Sequence, residues 1–353
     1  MTNHTGLFNF DDVRILNLTD SDHARWDAYV MQQPAATFFH RAGWQTVLTQ
    51  SFNHPTYFLY AELNGAICGI LPLAHIRSHL FGNSLISTPF CVYGGAIADN
   101  ESIATQLEQS ACQLAERLKV DYLELRHSQR RHPDWLCKDQ LYVTFRKRIE
   151  SDPEQNLLAI PRKQRAMVRK GIAAGLVSHV NSDVKQVYRV YAESVRNLGT
   201  PVFSLRYFQT LKTVFGDACE ALTIHHGSQI IAGVLNFYFR DQVLPYYGGG
   251  TTQARAMKAN DFMYWEVMRR ACESGYRVFD YGRSKRNTGS YDFKCNWGFE
   301  PEPLSYEYYL VQSRQLPDIN PLNPKYRLFI RVWKQLPLPV SQFLGPFLSR
   351  SLG

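Results

Sequence analysis

The order of predicted elements repeats along the chain, and this repeat restricts the fold more than any other feature. In the first half, a strand and two helices precede a hairpin at Asn64-Gly65, a strand ending in Tyr93-Gly94-Gly95, a long helix and a closing strand. In the second half, two helices precede a hairpin at Gly227-Ser228, a strand ending in Tyr247-Gly248-Gly249-Gly250, a long helix and a closing strand. We interpret this order as an internal duplication with the pattern β-α-α-β-β-β-α-β in each half.

Individual residues support the duplication. Trp44 corresponds to Phe208, and Gly69 corresponds to Gly233 at the same offset. One such match arises easily by chance, but several in the same order do not. A chain of 353 residues is also longer than one hydrophobic core usually serves. We therefore predict an α/β fold of two tandem domains with mixed, mainly antiparallel sheets.

The predicted domain boundaries follow the elements and the charge. We place the first domain at 11–155, a basic connecting helix at 156–176, the second domain at 177–318 and a basic amphipathic segment at 319–353. The last segment has no acidic residue after Asp318 and ends in apolar residues at helical spacing. It can lie on an anionic membrane surface or pack across the second domain as a closing helix, and we favour packing.

The composition indicates a folded protein of the reducing cytoplasm. Hydrophobic residues make up 45% of the chain, and the seven cysteines form no C-x-x-C pair. We therefore expect no disulfide framework and no metal site. The N-terminus lacks the order of a signal peptide, and no apolar run approaches the ~20 residues that span a bilayer. A net charge of +8 suits a partner with phosphates or an anionic surface.

The stretch from Phe279 to Phe299 predicts a binding site. A short apolar strand ends at Gly282, and a loop that is cationic, aromatic and rich in glycine follows. Such a loop at a strand end suits an anionic ligand, although a solvated basic turn would have a similar composition. The candidate substrate-binding residues of this loop are Arg283, Ser284, Tyr291, Lys294 and Trp297.

Motifs for most other chemistries are missing. The sequence has no G-x-S-x-G, no phosphate-binding loop, no dinucleotide fingerprint and no spacing of metal ligands. What remains is acyl transfer to an amine or hydroxyl without a covalent enzyme intermediate, which needs an oxyanion stabiliser and an acid or base. We assign proton acceptance to Asp280, with a salt bridge to Arg283 as the alternative role. Tyr247 is the candidate donor to the leaving group, and Lys285 stabilises an oxyanion or binds phosphate.

Two further groups of residues complete the candidate site. Asn236 can orient the acceptor, and Gly248 and Gly249 end the strand that carries Tyr247. Between the halves, a helix that begins after Pro161 holds five basic residues and no acid. Its face can hold a phosphate backbone or pyrophosphate, or it is a solvated linker. The phosphate-binding candidates on this helix are Arg162, Lys163, Arg165 and Arg169.

Several runs carry a resemblance to a known family. The element order and the Tyr-Gly-Gly run resemble the GNAT acyltransferase fold in tandem. The runs 161–171, 244–250, 279–285, 291–299 and 323–326 resemble the FemAB-related proteins of the PEP-CTERM/exosortase systems, which are encoded with exopolysaccharide genes. The resemblance covers nearly the whole chain. The wider FemAB family comprises tandem-GNAT aminoacyltransferases that build peptidoglycan cross-bridges from aminoacyl-tRNA.

Two departures from these families leave the donor open. No long heptad segment provides the coiled-coil arm that FemAB proteins often carry. The pyrophosphate loop of ordinary GNATs is degraded, because the run from Arg255 to Asn260 keeps an arginine and a small residue but neither glycine. The resemblance therefore implies either aminoacyl-tRNA or acyl-CoA as donor, with no tightly bound cofactor.

The resemblance implies a function and a location. We expect an acyl- or aminoacyltransferase that modifies an amine of a cell-envelope glycan, peptidoglycan, exopolysaccharide or lipid-linked precursor, with tRNA as a further partner and no DNA. We expect it to act in the cytoplasm and also to contact the inner membrane surface peripherally. The alternative is a non-catalytic accessory protein that binds tRNA or a membrane surface. The first-half counterpart of the site, Tyr122 to Arg126, lacks Gly-Arg-Ser-Lys, so we place the chemistry in the second half.

Overall fold

The computed structural model describes residues 13–78, 81–316 and 324–352, with side chains from 327 onward in the last range. Residues 11, 12, 79, 80, 317–323 and 353 of the predicted segments, among them Asn323 of the FemAB-like runs, lie outside the described residues. The first half contains β1 Arg14–Asn17, α1 His23–Gln32, α2 Gly43–Phe52, β2 Thr56–Leu63, β3 Ala66–Ser78, β4 Gly82–Ser87, β5 Ile97–Ala98, α3 Glu101–Arg117, β6 Tyr122–His127 and β7 Leu136–Cys137.

The rest of the chain repeats these elements and then adds others. It contains β8 Tyr142–Arg148, α4 Pro153–Ala159, α5 Arg162–Ala173, β9 Val177–Asn181, α6 Lys185–Leu198, α7 Leu205–Phe215, β10 Cys219–His226, β11 Gln229–Phe239, β12 Gln242–Gly250, α8 Thr252–Ala256, α9 Ala259–Glu273, β13 Val278–Asp280, β14 Ser284–Lys285, α10 Gly289–Asn296, β15 Pro301–Pro303, β16 Ser305–Leu310, α11 Pro324–Gln335 and α12 Leu338–Ser349. The order β1-α1-α2-β2-β3-β4-α3-β6 recurs as β9-α6-α7-β10-β11-β12-α9-β13. The predicted α/β fold with two mixed sheets is confirmed.

Local sequence explains why these elements form. Asn64 and Gly65 both adopt positive φ angles, 51° and 79°, as a two-residue hairpin turn between β2 and β3 requires. The Asn100 side chain caps α3 by accepting a hydrogen bond from the Ile103 amide at 3.0 Å. The apolar residues of α3 then fall on one buried face, with Leu107 fully enclosed.

Three predicted elements differ from the structure. The strand expected to reach Tyr93 ends at Ser87, because Thr88 and Phe90 adopt positive φ angles that interrupt it. The single long helix expected after Gly250 is broken at Lys258, which also has a positive φ of 58°. The loop expected after Gly282 contains α10, which Thr288 caps by accepting a hydrogen bond from the Tyr291 amide. The sequence analysis also did not locate β9.

The two sheets exchange strands. The first sheet has the order β1-β2-β3-β4-β6-β16-β7, with β5 paired to β3, and the second has β14-β8-β13-β12-β11-β10-β9, with β15 paired to β8. Thus β8 lies within 11–155 but pairs with β13, and β16 lies within 177–318 but pairs with β6. The sheets therefore do not divide at the sequence boundaries predicted for the domains, and those boundaries stay a prediction.

The largest core cluster joins the two halves. Phe38 of the first half stacks on Phe237 of β11, with ring centroids 4.5 Å apart and planes 18° apart. Trp44 packs on Phe215 of α7 at 5.4 Å. All four side chains are buried. Among the described residues, no helix is both long and apolar enough to cross a membrane.

We predict that Phe145→Ala in β8 destabilises the protein by about 3–5 kcal/mol, because it removes a fully buried ring from the core of the second sheet. Urea denaturation followed by circular dichroism measures the free energy of unfolding. Leu158→Ala in α4 is the matched control, since Leu158 is exposed and should change the stability by less than about 0.5 kcal/mol. Equal, small effects of both substitutions would contradict a structural role for β8 in the second sheet.

Candidate active site

The candidate site lies where β12 and β13 separate. These strands pair in parallel only at Gln242–Val278 and Val243–Phe279, and beyond this point no pairing between them continues in the described chain. Next to the separation, β12 shifts register against β11 and leaves Tyr246 as the extra residue of a bulge. Bulges redirect side chains, and the Tyr246 hydroxyl donates to the Phe90 carbonyl of the first half at 2.9 Å.

A buried acid lies at the end of β13. Asp280 is 2% exposed, and its Oδ1 accepts a hydrogen bond from the Gly282 amide at 2.7 Å. Its Oδ2 lies 3.6 Å from Nε of Arg146, which β8 supplies. Burial raises the pKa of Asp280, although Arg146 and the Gly282 amide oppose the shift. The alternative role predicted for Asp280 is a salt bridge to Arg283. That partner is wrong: Asp280 pairs with Arg146, because β8 lies beside β13.

A buried lysine shares this cluster. Lys294 of α10 donates from Nζ to the carbonyls of Gly282 and Arg283, at 2.9 and 3.0 Å. Its ammonium group also lies 5.4 Å from the ring centre of Phe145. Burial lowers the pKa of Lys294 to about 7, although attraction to Asp280 opposes the shift. The side chain therefore changes charge near neutral pH, which is a property of acid–base and oxyanion-binding groups.

Arg283 connects the cluster to the first sheet. Its guanidinium lies over the Tyr142 ring at 4.8 Å, and it donates to the hydroxyl of Tyr306 in β16 at 3.0 Å. A second arginine, Arg126, also lies near Tyr306, with its guanidinium 5.3 Å from the ring centre. Arg283, Arg126 and Tyr306 line a cavity of about 170 Å³, which we call the arginine–tyrosine pocket.

A larger cavity, which we call the interdomain cleft, is lined by residues of the first half, including β8, and by Gln242 of β12 from the second half. This interdomain cleft has a volume of about 540 Å³, and β8 contributes Arg146 to its wall. The other cationic side chains on its wall are Arg126, Arg130 and Arg131, against the single acid Glu101. Because four arginines line the cleft, it suits an anionic ligand such as a phosphate.

The structure places three predicted site residues together and others apart from them. Asp280, Arg283 and Lys294 form one electrostatic cluster. Tyr247 lies in the aromatic core instead, where its hydroxyl is 2.7 Å from that of Tyr207. Asn236 is buried and donates to Glu220 at 3.3 Å, and its Oδ1 has no hydrogen-bond partner among the described residues. The catalytic and binding roles assigned to these residues stay predictions.

The remaining loop residues mostly support the local structure. The Ser284 hydroxyl lies 2.9 Å from that of Ser290, and half-buried Lys285 pairs in register with Tyr142 of β8. Tyr291 packs edge-on against Phe145 at 5.6 Å. Trp297 is fully buried and donates to Asp261 at 3.2 Å, so it fixes α10 against α9.

Gly248 and Gly249 have a packing role. A Cβ atom at Gly248 would lie 2.8 Å from the Tyr264 hydroxyl of α9, and one at Gly249 would lie 2.5 Å from Cβ of Ser194 in α6. A larger residue would therefore force the Tyr264 side chain to move at Gly248, and at Gly249 it would push α6 away from β12. These close contacts involve protein side chains, so they account for both glycines without a ligand.

The basic face of α5 is partly available to a ligand. Arg162, Lys163 and Arg169 are exposed, whereas Arg165 is half-buried and donates to the Leu158 carbonyl at 2.6 Å. The opposite face of α5 packs on α9, where Gln164 donates to Asp261. The helix is therefore held by the second half while three of its four predicted phosphate-binding residues face solvent.

Sequence analysis missed one polar cluster on the rim of the cleft. His127, His132 and Glu307 present ligand-type atoms within 4.8 Å of one another, and so could hold a metal ion. The group is also an ion-pair network: His132 lies 3.3 Å from Glu108 and 3.5 Å from Glu307, and Arg131 lies 2.7 Å from Glu108. No local spacing marks it, because β16 brings Glu307 to the cluster from far along the sequence.

Comparison with known proteins identifies the domain that contains the cluster. Residues 160–295 match the family model described as the acetyltransferase (GNAT) domain. This range includes Asp280, Arg283 and Lys294 as well as the basic helix α5. The chain therefore carries a GNAT acetyltransferase domain, and the prediction that it is an N-acyltransferase is confirmed. No curated protein sequence matches the chain.

Solved structures share the whole architecture at low sequence identity. FemX matches with a TM-score of 0.65 and 14% identity, over 90% of this chain and 100% of that one. A tandem GNAT protein from the clavulanic acid biosynthesis pathway matches with a TM-score of 0.55 and 12% identity, over 86% of this chain and 100% of that one. The C-terminal domain of a putative lysylphosphatidylglycerol synthetase from Agrobacterium fabrum matches with a TM-score of 0.55 and 14% identity. The match covers 82% of this chain and 91% of that one. These likenesses show a tandem GNAT fold.

The cluster around His132 predicts a pH dependence of stability. Burial lowers the pKa of His132, but the carboxylates of Glu108 and Glu307 outweigh it and raise the pKa to about 9. A raised pKa stabilises the fold fully below the ordinary value of 6.5, and the contribution is lost as the pH rises through about 9. Thermal melting of wild type and His132→Gln should therefore differ most below pH 6.5 and converge towards pH 9. A constant difference across this range would show that His132 stabilises the protein without its charge.

Proposed function

We propose that the protein transfers an acyl or aminoacyl group to an amine of a cell-envelope glycan, peptidoglycan or exopolysaccharide precursor. The observation that carries this proposal is Lys294, which is buried beside Asp280 and Arg283 within the matched GNAT domain. Burying a lysine is costly and lowers its pKa, here to about 7. Groups whose pKa is shifted in this way cluster at catalytic sites. The FemAB-like runs of the sequence support the class of acceptor.

The chemistry of amine acylation suits these residues. The acceptor nitrogen forms a bond to the donor carbonyl carbon, the bond to the leaving oxygen or sulfur breaks, and one proton moves from the amine to the leaving group. Asp280, whose pKa burial raises, is suited to accept the amine proton. The Lys294 ammonium is suited to stabilise the oxyanion on the carbonyl. Tyr247 stays the proposed proton donor to the leaving group. The neighbouring Tyr246 is a second tyrosine of this strand, and its hydroxyl is influenced by the charge of Arg283.

The interdomain cleft supports a phosphate-bearing acceptor. Its guanidinium groups match the charge of a phosphate or diphosphate that links a sugar to a carrier. Arg146 joins the cleft to the reacting cluster, since it lines the cleft and lies 3.6 Å from Asp280. An acceptor held by its phosphate in the cleft would therefore present its amine towards Asp280.

Two donors remain candidates. GNAT domains use acyl-CoA, but here α8 and the turn at Lys258 take the place of the glycine-containing pyrophosphate loop. Aminoacyl-tRNA is the second candidate, and the exposed cations of α5 would contact its phosphates. The likeness to a lysylphosphatidylglycerol synthetase, whose name describes an aminoacylated lipid, supports an aminoacyl group. We place the reaction in the cytoplasm, and the association with PEP-CTERM systems stays a prediction.

We predict that Lys294→Met lowers the rate of acyl transfer about 100- to 1,000-fold, as the loss of an oxyanion stabiliser does. Wild-type activity should fall as the pH rises through about 7, because the neutral amine cannot stabilise negative charge. Transfer of radiolabelled acyl groups to precursor, measured across the pH range, tests both points. Lys185→Met, which replaces an exposed lysine of α6, is the control and should keep full activity.

The outcome depends on folding being retained, so each variant is first checked by its melting temperature. A folded Lys294→Met protein with wild-type rates would refute the proposed role of Lys294. Binding of tRNA without turnover of any donor by the wild type would instead support the non-catalytic accessory function.

The donor is identified by the ligand that stabilises the folded protein. We expect one of aminoacyl-tRNA, acyl-CoA and free CoA to raise the melting temperature, because a ligand that binds only the native state stabilises it. If tRNA is bound through α5, Arg162→Gln/Arg169→Gln should weaken its binding and make it less dependent on salt. The same double variant should leave CoA binding unchanged. Unaltered tRNA binding in this variant would exclude α5 as the contact.

A further inference from the structure

The last helix of the chain has its small residues inside and its large apolar residues outside. Ser341, Gly345 and Ser349 form the buried face of α12. The Ser349 hydroxyl donates to the Val202 carbonyl at 3.2 Å, and a Cβ atom at Gly345 would lie 2.7 Å from the same carbonyl oxygen. The helix backbone therefore lies directly against the protein, and most of the larger side chains beyond Leu338 are left to point away.

The outer face of α12 is apolar. Phe343 and Phe347 are 69% and 64% exposed, and their rings lie 5.8 Å apart on successive turns. The exposed apolar residues of this helix are Val340, Phe343, Leu344 and Phe347, at the i, i+3, i+4, i+7 spacing of one helix face. A helix that only closed a core would turn this face inward.

Helix α11 continues the same surface. Trp333 is buried, and Ile330 packs on Gly199 of the second half, so this helix is docked as the favoured packing alternative predicted. Its outer side exposes Leu328, Phe329 and Val332. One face of each helix thus packs on the protein and the other is apolar and exposed, and contact of the segment with a membrane stays a prediction. We call the exposed apolar side chains of α11 and α12 the C-terminal apolar face.

The exposed charged residues of this C-terminal segment are all positive. Arg327, Arg331 and Lys334 are exposed on α11, and Arg350 follows α12. No Asp or Glu occurs after Asp318. Two copies of the chain that met on this face would bring like charges together, whereas an anionic surface would complement them. Each helix has 12 residues and is about 18 Å long, too short to span a bilayer but suited to lie in its interface.

We infer that the C-terminal apolar face docks the protein on the surface of an anionic lipid bilayer. Phe343, Phe347 and Phe329 insert between the headgroups, and the arginines and lysine beside them contact lipid phosphates. This assignment follows from exposure and charge alone, and it does not depend on the acyl transfer reaction.

Docking would also bring one cavity to the membrane. Ser351 and Leu352, which follow α12, line the arginine–tyrosine pocket together with Arg283. As an alternative to entry through the interdomain cleft, a lipid-linked acceptor could then approach Arg283 through this pocket without leaving the bilayer surface. This second step rests on the proposed function, whereas the docking itself does not.

Binding to vesicles tests the inference. The full chain is sedimented with vesicles of phosphatidylcholine alone and of phosphatidylcholine mixed with phosphatidylglycerol. We expect binding to the mixed vesicles that weakens with salt, and at least about tenfold weaker binding for Phe343→Ser/Phe347→Ser. For Arg331→Gln/Lys334→Gln, the affinity for the mixed vesicles should fall about fivefold for each charge removed. The matched control is Met31→Ser/Leu158→Ser, which removes two apolar side chains of similar exposure elsewhere and should bind as wild type.

Several outcomes would overturn the inference. Equal binding to both vesicle types would refute recognition of an anionic bilayer, and equal binding by Phe343→Ser/Phe347→Ser and wild type would exclude docking through this face. Sedimentation velocity checks the competing occupant: a dimer that the phenylalanine substitutions dissociate, without vesicle binding, would assign the face to a second copy. Transfer to a water-soluble acceptor is measured in parallel. Docking without transfer would refute only the proposed function, and transfer without docking would refute only this inference.

Discussion

The exchange of β8 and β16 between the two sheets is the constraint on which the rest of the structure depends. Backbone groups of β13 pair with β8 from the first half, and those of β6 pair with β16 from the second. Without these partners, each sheet would expose an unpaired edge to solvent and to aggregation. The two halves therefore complete each other, although each repeats the same order of elements.

The same exchange builds the candidate site. Strand β8 supplies Arg146 to Asp280 and the Phe145 ring to Lys294, and both partners belong to the second half. In the other direction, β16 carries Tyr306 between Arg126 and Arg283. The burial that shifts the pKa of Lys294 towards neutrality thus comes from both parts of the chain. A GNAT domain cut at the predicted boundary near residue 155 would lack one wall of its own site.

Particular residues show where sequence reasoning succeeded. The hairpin turns, most of the amphipathic helices and the repeated order depend on local spacing, and the structure has them, apart from the break at Lys258 and the unpredicted β9. Asp280, Arg283 and Lys294 were found together because a strand end and one short segment carry all three. The glycines after Tyr247 were found too, but their reason is the close approach of Tyr264 and Ser194 from two helices. Periodicity within a strand carries no information about which helix crosses it.

The sequence by itself determined the duplication, the α/β class and the position of the cationic loop, because these depend on contacts between residues close in the chain. Only the tertiary structure decided the partner of Asp280, the burial of Lys294 and the network of His127, His132 and Glu307. Each of these depends on a strand that pairs with a partner strand distant from it in the sequence. It also decided that the tail both packs and exposes an apolar face, since the small residues of α12, not the large ones, meet the protein. Side-chain size and spacing define the two faces of a helix, but only the docked position shows which face meets water.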